Sequence, residues 1–159
     1  GRHIVESLRT GGRVLAFGNG GSAADAQHFV AELVGRFLHE RRALSAIALT
    51  TDPSVVTAVG NDMGFAAVFR RQVEAHGRPG DVALGISTSG RSPNVIEALR
   101  AARERGLVTV GLTGNGGGEV RGLVHHLIDV PHPDTQRIQE VHAMVLHLLC
   151  GVVEEAASR

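Results

Sequence analysis

Residues 13–38 read RVLAFGNGGSAADAQHFVAELVGRFL, and this stretch decides the fold class of the chain. Residues 13–17 form a short apolar run, which is typical of a strand buried on both faces of a parallel sheet. A glycine-rich turn follows, and residues 22–38 then consist mainly of good helix formers. A buried strand that leads through a turn into a helix predicts an α/β protein.

The same alternation continues along the rest of the chain. Four more apolar runs predict strands at residues 44–49, 81–86, 107–112 and 126–130. Further helical patterns occupy residues 53–76 (with a break near Gly60), 93–105 and 134–157. We therefore predict a three-layer α/β/α sandwich, with helices on both faces of a five-stranded parallel sheet. One domain is expected to span residues 1–159, and residues 3–8 read as a helix that continues a missing or disordered preceding segment.

Composition and charge exclude several classes of partner. The 16 basic and 16 acidic residues give a formal net charge of zero, which makes nucleic acid or an anionic membrane a poor partner. The absence of Trp and Tyr disfavours a base-stacking platform. No apolar stretch reaches membrane-spanning length and no signal peptide is visible. The single Cys150, with apolar neighbours, reads as a buried thiol in a reducing, cytoplasmic compartment.

The loop after the first strand contains three glycines in four positions. Gly18, Gly20 and Gly21 allow a ligand to approach the backbone, and Ser22 is predicted to cap the helix, whose N-terminus attracts an anion. A tight turn with no ligand explains the same residues. Gly18, Gly20 and Ala23 also fit a dinucleotide fingerprint, for which Asp52 at the end of the second strand would be the ribose ligand.

The loop after the third strand reads STSGRSP at residues 87–93. Four hydroxyl side chains followed by a proline at the first helical position predict a cradle for a phosphoryl group, although a serine-rich capped loop is the simpler reading. One of the hydroxyls is expected to cap the helix. The P-loop lysine is missing, which disfavours hydrolysis of a nucleoside triphosphate. Residues 60–64, GNDMG, are by themselves ordinary turn chemistry.

Two helices carry pairs of polar side chains. His28 and Glu32 are four residues apart, so they share a helix face and suit either a divalent metal or a plain helix-stabilising pair. On the last helix Gln139 and His147 are separated by roughly 80° around the axis and about 12 Å along it. The apolar neighbours of His147 predict a buried histidine, which is a satisfied core residue, a metal ligand or a proton carrier.

Four motifs in order resemble the phosphoheptose isomerases of the sugar isomerase (SIS) domain superfamily. They are GNGGSAADAQHFVAEL at 18–33, TDPSVVTAVGND at 51–62, GRPGDVALGISTSGRSPNV at 77–95 and RIQEVHAMVLH at 137–147. The resemblance implies a flavodoxin-like SIS domain and the conversion of D-sedoheptulose 7-phosphate to D-glycero-D-manno-heptose 7-phosphate through an enediol, in a heptose pathway that serves lipopolysaccharide or another glycan.

The resemblance also implies roles for individual residues. Glu32 matches the base and His147 the partner acid, and one zinc ion per subunit is implied at His28, Glu32, Gln139 and His147. Phosphate contacts are implied at Ser87, Thr88, Ser89 and Ser92. The remaining sugar contacts are implied at Asn19, Gly20, Gly21, Ser22, Glu32, Asn61, Asp62 and Gln139.

The resemblance further implies a homotetramer built with an N-terminal helical arm, of which residues 1–10 resemble the end. Arg91 departs from the family pattern, where a small polar residue is expected, and receives no role. Two other members of the superfamily are alternatives: a non-catalytic regulator that binds the replication initiator protein, and the sugar-phosphate-sensing domain of a transcription regulator. The second would need a DNA-binding segment, which this sequence does not contain.

Overall fold

The computed structural model describes residues 1–158 and contains the predicted five-stranded parallel sheet. The strands are β1 (Val14–Gly18), β2 (Ala46–Ala48), β3 (Val82–Ser87), β4 (Val108–Gly114) and β5 (His126–Val130). All neighbours are parallel, in the order β2-β1-β3-β4-β5. The α/β fold class is confirmed, and Arg159, which the predicted domain includes, lies outside the described residues.

Six helices surround the sheet, close to the predicted positions. They are α1 (Arg2–Arg9), α2 (Gly21–Val34), α3 (Pro53–Met63), α4 (Val68–His76), α5 (Pro93–Glu104) and α6 (Thr135–Ala157). The helix predicted over residues 53–76 is in fact two, and they separate at Gly64, with φ of 86°, and not at Gly60. Helix α2 ends at Val34, four residues before its predicted end.

The helices form two layers, each with its own apolar core against the sheet. Helices α1, α2 and α6 bury their apolar faces on one side, where Phe29 and Leu146 are among the core residues. Helices α4 and α5 cover the other side, where Phe69 and Leu99 pack on β1 and β3. The central strands are buried throughout, which is the physical reason for their continuously apolar sequences.

The strand order places a topological switch between β1 and β3. From β1 the chain crosses to β2 on one side, and the later strands continue on the other side of β1. The loops that follow β1 and β3 therefore diverge over opposite faces of the sheet and leave a crevice at its carboxyl edge, where ligands bind in such folds. We call residues 18–21, after β1, the glycine loop and residues 87–93, after β3, the hydroxyl loop.

Gly90 fixes the conformation of the hydroxyl loop. This residue has φ of 61°, its carbonyl accepts the N–H of Val120 at 3.1 Å, and a Cβ added to it would overlap the carbonyl oxygen of Gly117. We expect Gly90→Ala to lower the free energy of unfolding by about 2–4 kcal/mol, since it adds a backbone clash to the strain of a positive φ.

Gly116→Ala is the matched control. Gly116 has φ of 89° but open space around a Cβ, so its replacement should cost about 1 kcal/mol from strain alone. Urea unfolding of the two variants measures the difference, and equal losses would contradict the clash.

Candidate active site

Helices α2 and α6 lie side by side and bring two histidines together. His28 Nε2 and His147 Nε2 are 2.9 Å apart, with the rings at 77° to one another. These residues are 119 positions apart in the sequence. Two ring nitrogens at this distance cannot both carry a hydrogen between them, so they either share one proton or face a cation.

Glu32 lies one helical turn beyond His28. Its Oε1 is 3.7 Å from His28 Nε2, and its side chain is 23% exposed. The predicted base and the predicted acid therefore belong to one cluster, connected through His28. A carboxylate and two imidazoles in contact with solvent provide groups that accept and donate protons.

Gln139 approaches the glycine loop at the other end of the α2–α6 contact. Its amide packs so closely on Gly21 that a Cβ at position 21 would overlap it. Gly21 is thus required for close approach and not only for the turn. Along α6, Gln139 meets the first residue of α2 and His147 meets the face that carries His28, so one helix contact orders both ends of the predicted site.

The donor set at this place suits zinc. Two imidazole nitrogens and a carboxylate are ligands that zinc accepts, and nitrogens bound to one tetrahedral zinc lie about 3.3 Å apart. The histidine pair is close to that separation. The fourth predicted ligand, Gln139, is not beside them, because its amide packs on Gly21. Glu32 is slightly farther away, and across residues 1–158 no three His, Cys, Asp or Glu side chains already form a metal centre. The histidine pair fits the ion as it stands, whereas Glu32 has to turn towards it.

The predicted burial of His147 is wrong, because the buried histidine of α6 is His142. The inward stripe of this helix runs through Ile138, His142, Leu146, Cys150 and Val153. His147 lies about 100° from Leu146 and is exposed on the flank towards α2. Apolar neighbours in sequence misled the prediction, since residues i±1 of a helix point in different directions.

His142 is completely buried and bonds to the sheet. Its Nε2 donates to the carbonyl of Thr113 at 2.9 Å, which leaves Nδ1 as an acceptor without a hydrogen-bond partner in the described part of the chain. Burial lowers the pKa of His142, although the Thr113 bond and the charges of Asp25 and Asp129 oppose this. Burial raises the pKa of Asp25, against the charges of His142 and His28. These shifts favour the neutral forms of both groups at the α2–α6 contact.

A reciprocal amide pair joins the two loops of the crevice. Asn19 donates to Asn94 at 2.9 Å, and Asn94 donates back at 2.8 Å. Asn94 is 2% exposed and immediately follows the proline that begins α5. Asn19 was a predicted sugar contact, whereas sequence reasoning missed Asn94; the available signal was a polar residue in the first turn of a helix whose N-terminus faces the crevice.

Ser22 is not the cap that the sequence suggested. Gly20 occupies the N-cap position of α2, with φ of 55°, and no side chain caps the helix. Ser22 is 4% exposed and lies beneath Gly18, where a Cβ would be 2.9 Å from that of Ser22. The N–H groups at the start of α2 consequently lack a side-chain cap, as an anion site requires.

Asp52 is not free to act as the ribose ligand that the dinucleotide alternative requires. Strand β2 ends at Ala48, and Asp52 is instead the N-cap of α3, where its Oδ1 accepts the N–H of Val55 at 3.0 Å. A carboxylate that caps a helix is already engaged. The glycine loop therefore lacks the free acidic partner that the fingerprint demands.

The hydroxyl loop ends at the first turn of α5, as predicted. Ser87 and Ser92 contact each other through their Oγ atoms at 2.9 Å, and Ser89 Oγ accepts the N–H of Arg91 at 3.2 Å. Pro93 is the first helical residue, but the predicted hydroxyl cap is absent, because the side chain of the N-cap Ser92 turns to Ser87. Thr88 is half-buried beside them, so the hydroxyls gather at the carboxyl end of β3.

Asn61 and Asp62 lie apart from this cluster. Both are exposed in the last turn of α3, and Asn61 Nδ2 donates to Asp62 Oδ1 at 2.7 Å. Within residues 1–158 neither side chain bonds to the groups on α2 and α6. Their predicted role as sugar contacts stays a prediction.

A buried ion pair, which the sequence analysis did not predict, holds the segment after α2 against α6. The side chains of Arg41 and Glu154 are 2% and 3% exposed, with 3.6 Å between Arg41 Nε and Glu154 Oε1. Burial disfavours the charge on Glu154, but N–H groups of Leu38, Phe37 and His39, together with Arg41, hold its pKa below the usual value. A single carboxylate on the buried stripe of α6 was the sequence signal that a partner must exist.

This pair predicts an acid-sensitive contribution to stability. The folded-state pKa of Glu154 is depressed, so its contribution is complete above the unfolded-state pKa of about 4.3 and is lost as the pH falls through the folded value. Thermal unfolding should show Glu154→Gln less stable than the parent at pH 7, with the gap narrowing below about pH 4.5. A gap that stays constant to pH 3 would contradict this account.

Two further expectations from the sequence concern Cys150 and membranes. Cys150 is 1% exposed, and burial, with the charges of Glu32 and Glu154, raises the pKa of its thiol to about 12. The reading of a buried, unreactive thiol is confirmed. None of the helices in residues 1–158 is both long and apolar enough to cross a membrane.

Comparison with known proteins agrees with the fold. The family model described as SIS domain matches residues 1–114. The chain is 60% identical over 153 residues to a phosphoheptose isomerase of Pelobacter propionicus, covering 96% of this chain and 81% of that relative. It is 55% identical over 156 residues to phosphoheptose isomerase 1 of Campylobacter jejuni, covering 98% and 84%. The structure of phosphoheptose isomerase GmhA from Neisseria gonorrhoeae superposes with a TM-score of 0.92 at 50% identity, covering 97% and 82%.

Proposed function

Because this chain belongs to the SIS domain family and, within it, to the phosphoheptose isomerases, we propose that it converts D-sedoheptulose 7-phosphate to D-glycero-D-manno-heptose 7-phosphate. The chain is an isomerase of sugar phosphates in heptose metabolism. The observation that supports the specific reaction is the contact of His28 with both His147 and Glu32, on the helix that begins at the glycine loop of the crevice.

The proposed reaction moves one proton between two carbons and one between two oxygens. Glu32 takes a proton from C1 of the open-chain ketose, which gives an enediol, and returns a proton to C2. His147 supplies a proton to the carbonyl oxygen at C2 and recovers one from the hydroxyl at C1. The product is the aldose, and no oxidant or reductant is consumed. A positioned carboxylate and imidazole are suitable groups for these transfers near neutral pH.

The loops hold the other end of the sugar. The phosphoryl group would bind the hydroxyls of Ser87, Thr88, Ser89 and Ser92 and the N-terminus of α5. The amide of Asn19, fixed by Asn94, and the backbone of Gly20 and Gly21 would contact the sugar hydroxyls. From Gly21 to His28 the axis of α2 rises about 10 Å, a length that suits an extended sugar phosphate.

Zinc belongs to the same proposal. His28, Glu32 and His147 would hold one ion per subunit, with Gln139 of the same or a neighbouring subunit as the fourth ligand, and the bound ion would supply positive charge that polarises the oxygens at C1 and C2. A non-catalytic regulator has no need for such a set of groups. Metal analysis of purified protein distinguishes the two readings, because a regulator should contain no stoichiometric zinc.

Incubation with sedoheptulose 7-phosphate tests the reaction directly. The ketose carries no hydrogen on its anomeric carbon, whereas the aldose product does, so proton NMR should show a new anomeric signal that grows with enzyme concentration. Failure to form this signal with zinc-loaded protein would refute the proposed activity.

A homotetramer in the cytoplasm completes the proposal. Helix α6 presents a stripe of exposed apolar side chains, Met144, Leu148 and Val152, beside an open groove of about 1070 Å³ that includes His147 and Leu38. An apolar stripe of this kind on a soluble domain is typical of an interface. A second copy packed there would cover one side of the site.

We expect Leu148→Arg to dissociate the assembly. Leu148 is 66% exposed, so the single chain loses no core contact, whereas a charge inside an apolar interface is costly. Light scattering after size exclusion should report smaller particles, while Glu104→Lys on the exposed end of α5 should leave the mass unchanged. An unchanged mass for Leu148→Arg would exclude this stripe as the interface.

A further inference from the structure

We propose that Phe37 is a positioning residue for His147: its ring stacks on the imidazole, and the buried pair of Glu154 and Arg41 fixes the segment that carries it. The catalytic consequence rests on the proposed function, in which His147 is the acid. The stacking contact itself does not depend on that function.

The imidazole of His147 needs an external support. The residue is exposed on α6, so the helix alone leaves its side chain free to change rotamer, and a general acid acts only in a narrow range of orientations. Two rings contact it. Phe37 lies nearly parallel to the imidazole, with centroids 5.8 Å apart and planes at 22°, while His28 meets it edge-on at 5.2 Å. Phe37 thus fixes the plane of the ring, and His28 faces its nitrogen.

Glu154 holds the backbone of Phe37 against this helix. Its Oε1 accepts the N–H of Phe37 at 2.9 Å, and its Oε2 accepts those of Leu38 and His39 at 2.7 and 3.1 Å. Glu154 follows His147 by seven residues, two helical turns, and so lies on the same side of α6. Helix α6 therefore carries His147 and also binds the segment whose Phe37 ring stacks on that imidazole.

Arg41 connects the same segment to Glu32, the predicted base. Its Nη2 donates to the carbonyl of Glu32 at 2.6 Å and its Nη1 to that of Gly35 at 2.9 Å. The guanidinium thereby satisfies carbonyls at the C-terminal end of α2, where a positive charge is favoured. Removal of Glu154 or Arg41 would disturb both Glu32 and His147, whereas a change at Phe37 isolates the effect on His147.

The experiment compares Phe37→Leu with Phe37→Tyr in the zinc-loaded protein. Leucine keeps an apolar side chain but removes the ring, whereas tyrosine keeps the ring and adds one hydroxyl. We expect Phe37→Leu to lower kcat about ten- to a hundredfold while KM changes less than about threefold, and Phe37→Tyr to restore kcat. Glu40→Gln, at a side chain that is 97% exposed in the same segment, is the control and should match the parent.

A second readout works without turnover. The ring current of Phe37 should shift the His147 ring protons upfield in the parent and in Phe37→Tyr, and NMR should show this shift lost in Phe37→Leu. Equal kcat for the parent and Phe37→Leu, equal losses in both variants, or an unchanged His147 shift would overturn the proposal. A parent that shows the ring shift but no turnover would instead overturn the proposed function while confirming the stacking.

Discussion

Replacement of Glu32 by glutamine is expected to abolish isomerisation while the protein remains folded. The amide has the size of the carboxylate but accepts no proton at neutral pH, so the transfer between C1 and C2 loses its base. We expect kcat to fall about a thousandfold or more, with sugar-phosphate affinity retained because the phosphate loop is unchanged. Circular dichroism should show an intact fold, since the Arg41 bond at position 32 involves only the backbone carbonyl.

The control for this variant is Glu40→Gln, which makes the same chemical change eight residues later. Glu40 is 97% exposed and, within residues 1–158, its only ion pair is with Arg36 at 3.8 Å, so kcat should stay at the parental value. Zinc content is measured for both variants, because an amide is a weaker ligand than a carboxylate. If Glu32→Gln retains zinc and keeps kcat within about tenfold of the parent, Glu32 is not the base.

His147→Ala and His142→Ala are expected to separate function from stability on one helix. Truncation of His147 should remove turnover and stoichiometric zinc, because this residue is the proposed acid and a proposed ligand. Since His147 is exposed, the melting temperature should stay close to that of the parent. His142 is fully buried, and its loss leaves a cavity and removes the hydrogen bond to the Thr113 carbonyl, which should cost about 2–4 kcal/mol.

Metal analysis and thermal unfolding of these two variants provide the test. Stoichiometric zinc in His147→Ala would remove this residue from the proposed metal site. A melting temperature for His147→Ala as low as that of His142→Ala would mean that its side chain supports the core, contrary to its exposure.

The parts of the fold that the sequence predicts best are those fixed by local chemistry. Continuous apolar runs located the central strands β1, β3 and β4, because strands buried on both faces admit little else. The edge strands β2 and β5 were also located, although they are only partly buried. Pro93 marked the start of α5 correctly, since its fixed φ suits only the first turn. That residues near 28 and 147 lie together was expected only from the resemblance of motifs, because the periodicity of neither helix predicts it.

Some of the parts that failed depend on partners distant in the sequence. Helix α2 stops at Val34, where Gly35 is the C-cap, and the segment beyond it is bound by Glu154, more than a hundred residues later. Two failures were local: Gly20 and not Ser22 is the N-cap of α2, and the side chain of Ser92 turns to Ser87. The rotation of α6, which buries His142 and exposes His147, is set by the whole inward stripe and not by the neighbours of either residue.

The contact between α2 and α6 has a consequence for biosynthesis on the ribosome. The five strands and helices α1 to α5 are all translated by residue 130, but the partner of His28 comes 119 residues after it, in α6. Catalytic competence therefore arises last, after the C-terminal helix has left the exit tunnel. A polypeptide that terminates before α6 would lack His147, and the core that α6 covers would be exposed to water.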